Sequence, residues 1–356
     1  MEIGIVGLPN VGKSTIFNAL TSGTAAASNY PFTTIEPNVG VVGVPDARLA
    51  RLTEIFQPQK TIPASCRFVD IAGLVKGAAQ GEGLGNKFLA NIREVDAILH
   101  MVRLFEDSEV VHTMGGVDPQ RDIEIIETEL MLADLDSLTR QYDKVSGKAR
   151  AGDKASKETL EILDTLKSGL EAGRPARALG LAPEILKPYF LLTAQPMLYV
   201  GNTDESPDAS VISDFQAFTE NRGSKSVVLC GKLESEIAEL SGEDRALFMK
   251  DLGMECSGLE KVIVAAYATL GLTSYFTGGP SEVRAWTIPI GTKAPQAAGV
   301  IHSDFERGFI KADIYAFSDI DLHGSETALR ERGLIRSEGK EYEVKDGDVC
   351  HFKFNV

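Results

Sequence analysis

Gly7-Leu8-Pro9-Asn10-Val11-Gly12-Lys13-Ser14-Thr15 fits the pattern G-x-x-x-x-G-K-[ST]. Its flanks decide whether the match has meaning. Before it, Glu2-Ile3-Gly4-Ile5-Val6 is short and apolar, as a buried parallel strand is. After it, Ile16, Ala19 and Leu20 fall at helical spacing. A strand, a glycine-rich turn and a helix present a concave row of backbone N–H groups at the positive end of a helix dipole, and a polyphosphate binds there. Gly7 and Gly12 allow the close approach that a side chain would block. Asn10, Val11, Gly12, Lys13, Ser14 and Thr15 are the expected cradle. Lys13 is expected to bridge the β- and γ-phosphates as the catalytic cation, and the Ser14 hydroxyl to ligate Mg²⁺.

Moving outward, Asn29-Tyr30-Pro31-Phe32-Thr33-Thr34-Ile35-Glu36-Pro37 is a loop, because two prolines and a threonine pair exclude a regular element. At this distance from a phosphate loop it predicts a first switch, with Phe32 and Thr33 on the nucleotide and Thr34 on the metal. Cys66–Asp70 is a second strand ending in Asp70-Ile71-Ala72-Gly73, a D-x-x-G pattern. Asp70 is expected to hold Mg²⁺ through water and the Gly73 N–H to sense the γ-phosphate. Many GTPases place a water-orienting Gln next. Here Leu74 stands there, with no hydrogen-bonding group, so turnover is slow or another group positions the water. The glycine-dense run from Lys76 to Gly85 reads as a second switch or as a plain loop.

Asp96–Arg103 is a third strand, followed by Glu106, Asp107 and His112. Open parallel sheets bind ligands beyond the C-terminal ends of their strands. His112 is on that edge and has the chemistry to replace the missing Gln. A hydrogen-bonded surface histidine is the competing account.

The chain has 356 residues, a net charge of −15 and 43% apolar residues, enough for two or three domains. The acidic balance excludes a chain-wide nucleic-acid surface but not a local basic patch. Four scattered cysteines read as reduced thiols in a cytoplasmic protein, and neither they nor the five histidines show metal-ligand spacing. No apolar run is long enough to span a bilayer.

From Arg121 to about Leu192 the pattern is helical. Met131, Leu135, Leu138, Tyr142 and Val145 form one seam, and Leu160, Leu163, Leu166 and Leu170 another, with a polar turn expected over 146–154. Facing seams and a short turn predict an antiparallel coiled-coil hairpin. Its tip carries Arg140, Lys144, Lys148, Arg150, Lys154 and Lys157, which fits either an RNA contact or a solvated helical face.

The α/β pattern returns at Pro196–Val200, followed by Gly201-Asn202-Thr203-Asp204-Glu205. GTPases carry N-K-x-D here, whose Asp accepts from guanine. Asn202 is kept, Lys becomes Thr203 and the Asp position holds Glu205. The longer carboxylate misplaces the guanine-specific pair of bonds, and losing a required bond costs orders of magnitude in discrimination. Weak guanine preference follows, with adenine accepted. Val227–Lys232 is another strand and turn, where the backbone at Cys230 and Gly231 could complete the base pocket. After Gly278-Gly279-Pro280 come a strand over 282–288, a short helix entering a strand over 303–310, and a strand with an Asp-Gly turn over 341–349. That composition predicts a small β-grasp docking module.

Across the whole chain, GLPNVGKST, PFTTIEPN, DIAGLVKGA, NTDE, APQAAGVIHSDFERGFI and DGDVCHFKFNV resemble the YchF/Obg-like ATPases, an Obg branch of P-loop proteins with a C-terminal TGS domain. Leu74 and His112 are similar to that family's hydrophobic residue and histidine, whereas Gly201 and Thr203 depart from its usual Ala and small apolar residue. The resemblance implies a Ras-like, mostly parallel α/β domain over 1–120 and 193–277, a helical coiled-coil insertion over 121–192 and a TGS β-grasp domain over 278–356. It implies ATP hydrolysis in preference to GTP, Mg²⁺ dependence, ribosome association, K⁺ stimulation through Asn10, and RNA contact by the coiled-coil tip and the TGS domain. A GTP-specific ribosome assembly factor and a docking adaptor with negligible turnover are the alternatives.

Overall fold

A computed structural model describes residues 1–22, 38–71, 83–107, 110, 112 and 115–355. Phe32, Thr33, Thr34, Gly73 and Leu74, and with them both expected switch loops up to residue 82, lie outside the described residues.

The chain forms two compact units. In the first, β1 (Glu2–Gly7) leads into α1 (Lys13–Ser22). The sequence reading missed the next two strands, β2 (Val39–Gly43) and β3 (Lys60–Ile62), which flank α2 (Ala47–Phe56). Both strands are short: β3 has a single buried residue, and the apolar run of β2 is broken by Gly40 and Gly43. Then follow β4 (Ser65–Asp70), α3 (Gly83–Glu94), β5 (Ala97–Arg103), α4 (Pro119–Arg150), α5 (Lys154–Glu171), a short α6 (Pro183–Leu186), β6 (Met197–Asn202), α7 (Ala209–Glu220), β7 (Lys225–Leu229), α8 (Gly231–Glu239), α9 (Gly242–Asp251) and α10 (Gly258–Thr269).

The sheet order is β2-β4-β1-β5-β6-β7. β1 runs parallel to β4 and β5, β5 to β6, and β6 to β7. The middle strands are covered on both faces, which is why β5 is buried at every position and reads as an apolar run. Two polar residues interrupt that run, His100 and Arg103, each 1% exposed. Burial pushes the His100 imidazole down to about 4, so it stays neutral.

α4 and α5 form the expected hairpin, with Leu138, Leu163 and Leu166 fully buried between them. The turn is shorter than the sequence reading has it. α4 continues through Ser146 and Gly147 to Arg150, and only 151–153 leave the helix. Gly152 takes φ +98 there, and Asp153 caps α5 by accepting from the Ser156 N–H at 3.0 Å. The root of the arm is bonded into the sheet. Asp134 of α4 accepts from the Leu192 and Thr193 N–H groups, both at 2.8 Å. Glu127 accepts from the Tyr199 hydroxyl at 2.6 Å and pairs with Arg177 and Arg222. These charges are buried with partners, the condition under which such groups are tolerated.

The second unit runs from Tyr267 onward and takes in 41–66. Its helices and strands are β8 (Leu272–Thr277), β9 (Glu282–Pro289), α11 (Ala294–Ile301), α12 (Ser303–Arg307), β10 (Phe309–Ala316), α13 (Phe317–His323), α14 (Glu326–Glu331), β11 (Arg336–Glu338) and β12 (Asp348–Phe354). The sheet order is β11-β10-β12-β8-β9-β3. β8–β9, β10–β12 and β10–β11 are antiparallel, while β12 runs parallel to β8. A sheet of this pattern grasping α11 through Ala294, Ala297 and Ala298 is the β-grasp expected. The last strand begins later than expected. Residues 341–347 carry only an isolated bridge from Glu343 to Lys293, Gly347 takes φ +85, and the strand starts at Asp348. The stretch 41–66, kept with the nucleotide-binding domain on sequence grounds, packs here. β3 extends the sheet in parallel with β9, and Arg48 bonds Asp346 at 2.7 Å. All four cysteines are free thiols.

Candidate nucleotide site

The cradle forms where β1 stops and α1 starts. Asn10 at φ +64 and Gly12 at φ +91 both take left-handed backbone, which turns successive N–H groups toward one side. Buried Ile16, Ala19 and Leu20 hold α1 to the core, leaving Ser14 and Thr15 exposed on its first turn. The Lys13 ammonium bonds the Asp70 carboxylate at the end of β4, so two of the expected phosphate and metal groups meet.

Asn202 ties two loops together at the cavity wall. It is 5% exposed at the end of β6. Its Nδ2 donates to the Val11 carbonyl at 3.0 Å, and its Oδ1 accepts from the Gly231 N–H at 2.8 Å. One amide therefore ties the cradle to the loop before α8. Glycine is required at position 12, and the space at Gly231 is tight. A Cβ at Gly12 would fall 2.3 Å from Nδ2, and one at Gly231 would fall 3.0 Å from Oδ1. Thr203, also buried, is fixed beside it, its N–H and Oγ1 both donating to the Leu229 carbonyl.

A cavity of about 830 Å³ opens next to this bracket. Asn10, Gly12, Thr15, Asn202, Thr203, Glu205, Cys230 and Gly231 line it, so the cradle and the N-T-D-E segment are brought together as expected. Its volume suits a nucleotide-sized ligand. Glu106, Asp107, Asp204, Glu205, Glu236 and Glu239 also line it, against a single described cation, Lys232. Lys232 donates to Glu205 at 2.8 Å, and this bond holds the Glu205 carboxyl below its usual range.

Arg103 was missed by sequence reasoning. Its buried guanidinium donates to the carbonyls of Phe105, Asp107 and Val110 at 3.0, 3.2 and 3.0 Å and stacks on the Phe105 ring at 4.3 Å. Phe105, Asp107 and Val110 are cavity wall. The available signal was an arginine ending an apolar strand, since a buried cation must find acceptors.

His112 does not line this cavity. It is buried, with Nε2 2.9 Å from Asp122 Oδ2 in the first turn of α4. Arg121 holds the other Asp122 oxygen at 2.9 Å. The imidazole is thus oriented by a carboxylate that is itself fixed.

The donor chemistry fits Mg²⁺. Asp70 and Ser14 offer hard oxygens beside the cradle, and among the described residues no group of three or more acidic, His or Cys side chains makes a protein-only cage. Mg²⁺ is ordinarily held in this manner, by one or two protein oxygens together with substrate phosphates and water.

A doubly covered parallel sheet, a G-x-x-x-x-G-K-S turn feeding a helix, and a D-x-x-G aspartate bonded to that lysine define a P-loop nucleotide-binding protein. A family model described as "50S ribosome-binding GTPase" matches residues 2–142, and the YchF-GTPase C-terminal model, described as a protein of unknown function, matches 272–355. Proteins named "Ribosome-binding ATPase YchF" from Bacillus subtilis and Haemophilus influenzae are 51% and 50% identical, covering all of this chain and 100% and 99% of their own. The structure of the Schizosaccharomyces pombe YchF GTPase superposes with a TM-score of 0.89 at 37% identity, over 99% of this chain and 97% of that one. A GTP-binding protein from Pyrococcus horikoshii shares the fold at TM-score 0.63. The chain belongs to the YchF family. No described helix is long and apolar enough to cross a membrane.

Proposed function

We propose that the protein is a slow ATPase switch that works on the ribosome. The observation that carries the choice of base is Glu205. It stands where a guanine reader has Asp, and its carboxylate is engaged by Lys232 at the cavity wall. Guanine's N1–H and 2-amino group then lack their paired acceptor, and a missing pair of this kind is worth orders of magnitude in selectivity.

Asn10 to Thr15 bind the phosphates, and Lys13 neutralises charge that builds on the transferred group. Phe32, Thr33 and Gly73 complete the nucleotide contacts, with Thr203, Cys230 and Gly231 around the base. Ser14, Asp70 and Thr34 would hold Mg²⁺, which would supply charge screening for the triphosphate. Asn10 would hold K⁺ in the same role. With Leu74 unable to orient water, His112 takes that task, and Asp122 fixes the ring.

The ribosome enters because relatives of the same length carry ribosome binding in their names. The exposed lysines and arginines near the arm turn, and the β-grasp unit, are the RNA-facing surfaces of this reading. The cytoplasm is its compartment. Competition binding tests the base: ATP is expected to displace a labelled adenine nucleotide at far lower concentration than GTP. A clear GTP preference would overturn the assignment. Steady-state turnover of His112→Ala, measured with and without ribosomes, tests the histidine, and undiminished hydrolysis removes it from the mechanism.

A further inference from the structure

A groove of about 590 Å³ lies between the end of α3 and the chain from Leu181 to Pro196, apart from the nucleotide cavity. Leu181, Leu186, Leu191 and Leu192 are among its lining, and Phe190 stands at its wall. Phe190 is 81% exposed and has φ +51, ψ +45. A bulky residue in left-handed backbone costs about 1 kcal/mol or more, and an exposed phenyl ring recovers nothing from packing. Asn would satisfy the same turn at lower cost. The fold therefore does not account for this ring.

The charge of the groove is opposite to that of the chain. Arg93, Arg177 and Lys187 line it against one carboxylate, Asp96, which accepts from the Glu2 N–H at 2.7 Å; Arg93 and Lys187 are exposed and form no ion pair among the described residues. Gln195 donates to the Ile92 and Val95 carbonyls at 2.9 and 3.1 Å, which leaves its Oε1 buried with no donor. Aliphatic lining, an exposed aromatic and two exposed cations outside any described ion pair are the ingredients of a peptide-docking site.

We infer that this groove docks an acidic segment of a partner protein. One aliphatic or aromatic side chain sits on the leucines against Phe190, and flanking carboxylates meet Arg93 and Lys187. The inference is independent of which nucleotide the cavity takes.

Fluorescence polarisation on the full chain tests it with three labelled probes: a short Asp/Glu-rich peptide with a central Leu-Phe, its Asn/Gln counterpart, and a single-stranded oligouridine. The acidic peptide is expected to bind about tenfold tighter than its neutral counterpart and to weaken with salt. Phe190→Asn is expected to weaken it about tenfold without lowering the thermal midpoint, and Lys187→Glu to weaken it with the midpoint unchanged. Equal binding of the two peptides, absence of binding, Phe190-dependent binding of the RNA in their place, or a lowered midpoint in Phe190→Asn would each overturn the proposal.

Discussion

At the phosphate end of the cavity Asn202 is buried and bonded at both ends of its amide, to Val11 and Gly231. At the base end, three positions on, Glu205 reaches one lysine, and both side chains are more than half exposed. A buried amide with both partners in place is costly to disturb, because each severed bond strands a group away from water. An exposed ion pair is worth little and yields to salt. The cradle end is therefore held rigidly, while the Glu205–Lys232 pair is a soft contact.

The largest effect expected from this contrast is at Lys13. Lys13→Ala removes the cation that the proposed reaction sets against the transferred phosphate and leaves Asp70 without its partner. Turnover should fall by about 10²–10³, measured by phosphate release at saturating ATP. Residual activity within a few-fold of the parent would mean that the cradle does not act on the transferred group.

Asn202→Ala comes next. It strands the buried Val11 carbonyl and Gly231 N–H together. Stability should drop by about 2–4 kcal/mol, read from urea unfolding of the nucleotide-free chain. Glu205→Gln, measured beside it, should leave the unfolding midpoint almost unmoved. If the two variants lose equal stability, the contrast between the ends is wrong.

The two ends also differed in how plainly they could be read beforehand. Strand, turn and helix around Gly7–Thr15 are local, so spacing placed Lys13 and Ser14, and Asp70, 57 positions beyond Lys13, was found by its own D-x-x-G pattern. The bracket could not be read that way, because Asn202 and Val11 are 191 residues apart. Leucine seams located the arm but not its turn, since Ser146 to Arg150 can remain helical at the small cost of one glycine. The assignment of 41–66 was illegible for a related reason. β3 is completed by pairing with β9, more than 200 positions later, and no local pattern records such a partner.

Arg103→Met tests the wall of the base end. Three carbonyls lose their donor, so the loop from Phe105 to Val110 should loosen. ATP affinity should fall by about tenfold, the worth of one or two hydrogen bonds to a charged group, while inorganic tripolyphosphate should bind as before. Loss of both ligands together would show that Arg103 supports the cradle as well, and that the two ends are one mechanical unit.

The smallest effect concerns Lys232. Its bond holds the Glu205 carboxyl below the ordinary range. A carboxyl depressed in the folded state adds stability above its unfolded pKa and loses it as the pH falls through the folded value. Lys232→Met should move Glu205 back up toward the ordinary range, which side-chain carboxyl NMR would follow directly. With its oxygens released, Glu205 can turn toward a guanine edge, so the preference for ATP should narrow by about two- to fivefold, the scale of one exposed pair. A collapse of selectivity by orders of magnitude would mean that Lys232 is a base reader in its own right. The base end would then be as sharply specified as the cradle.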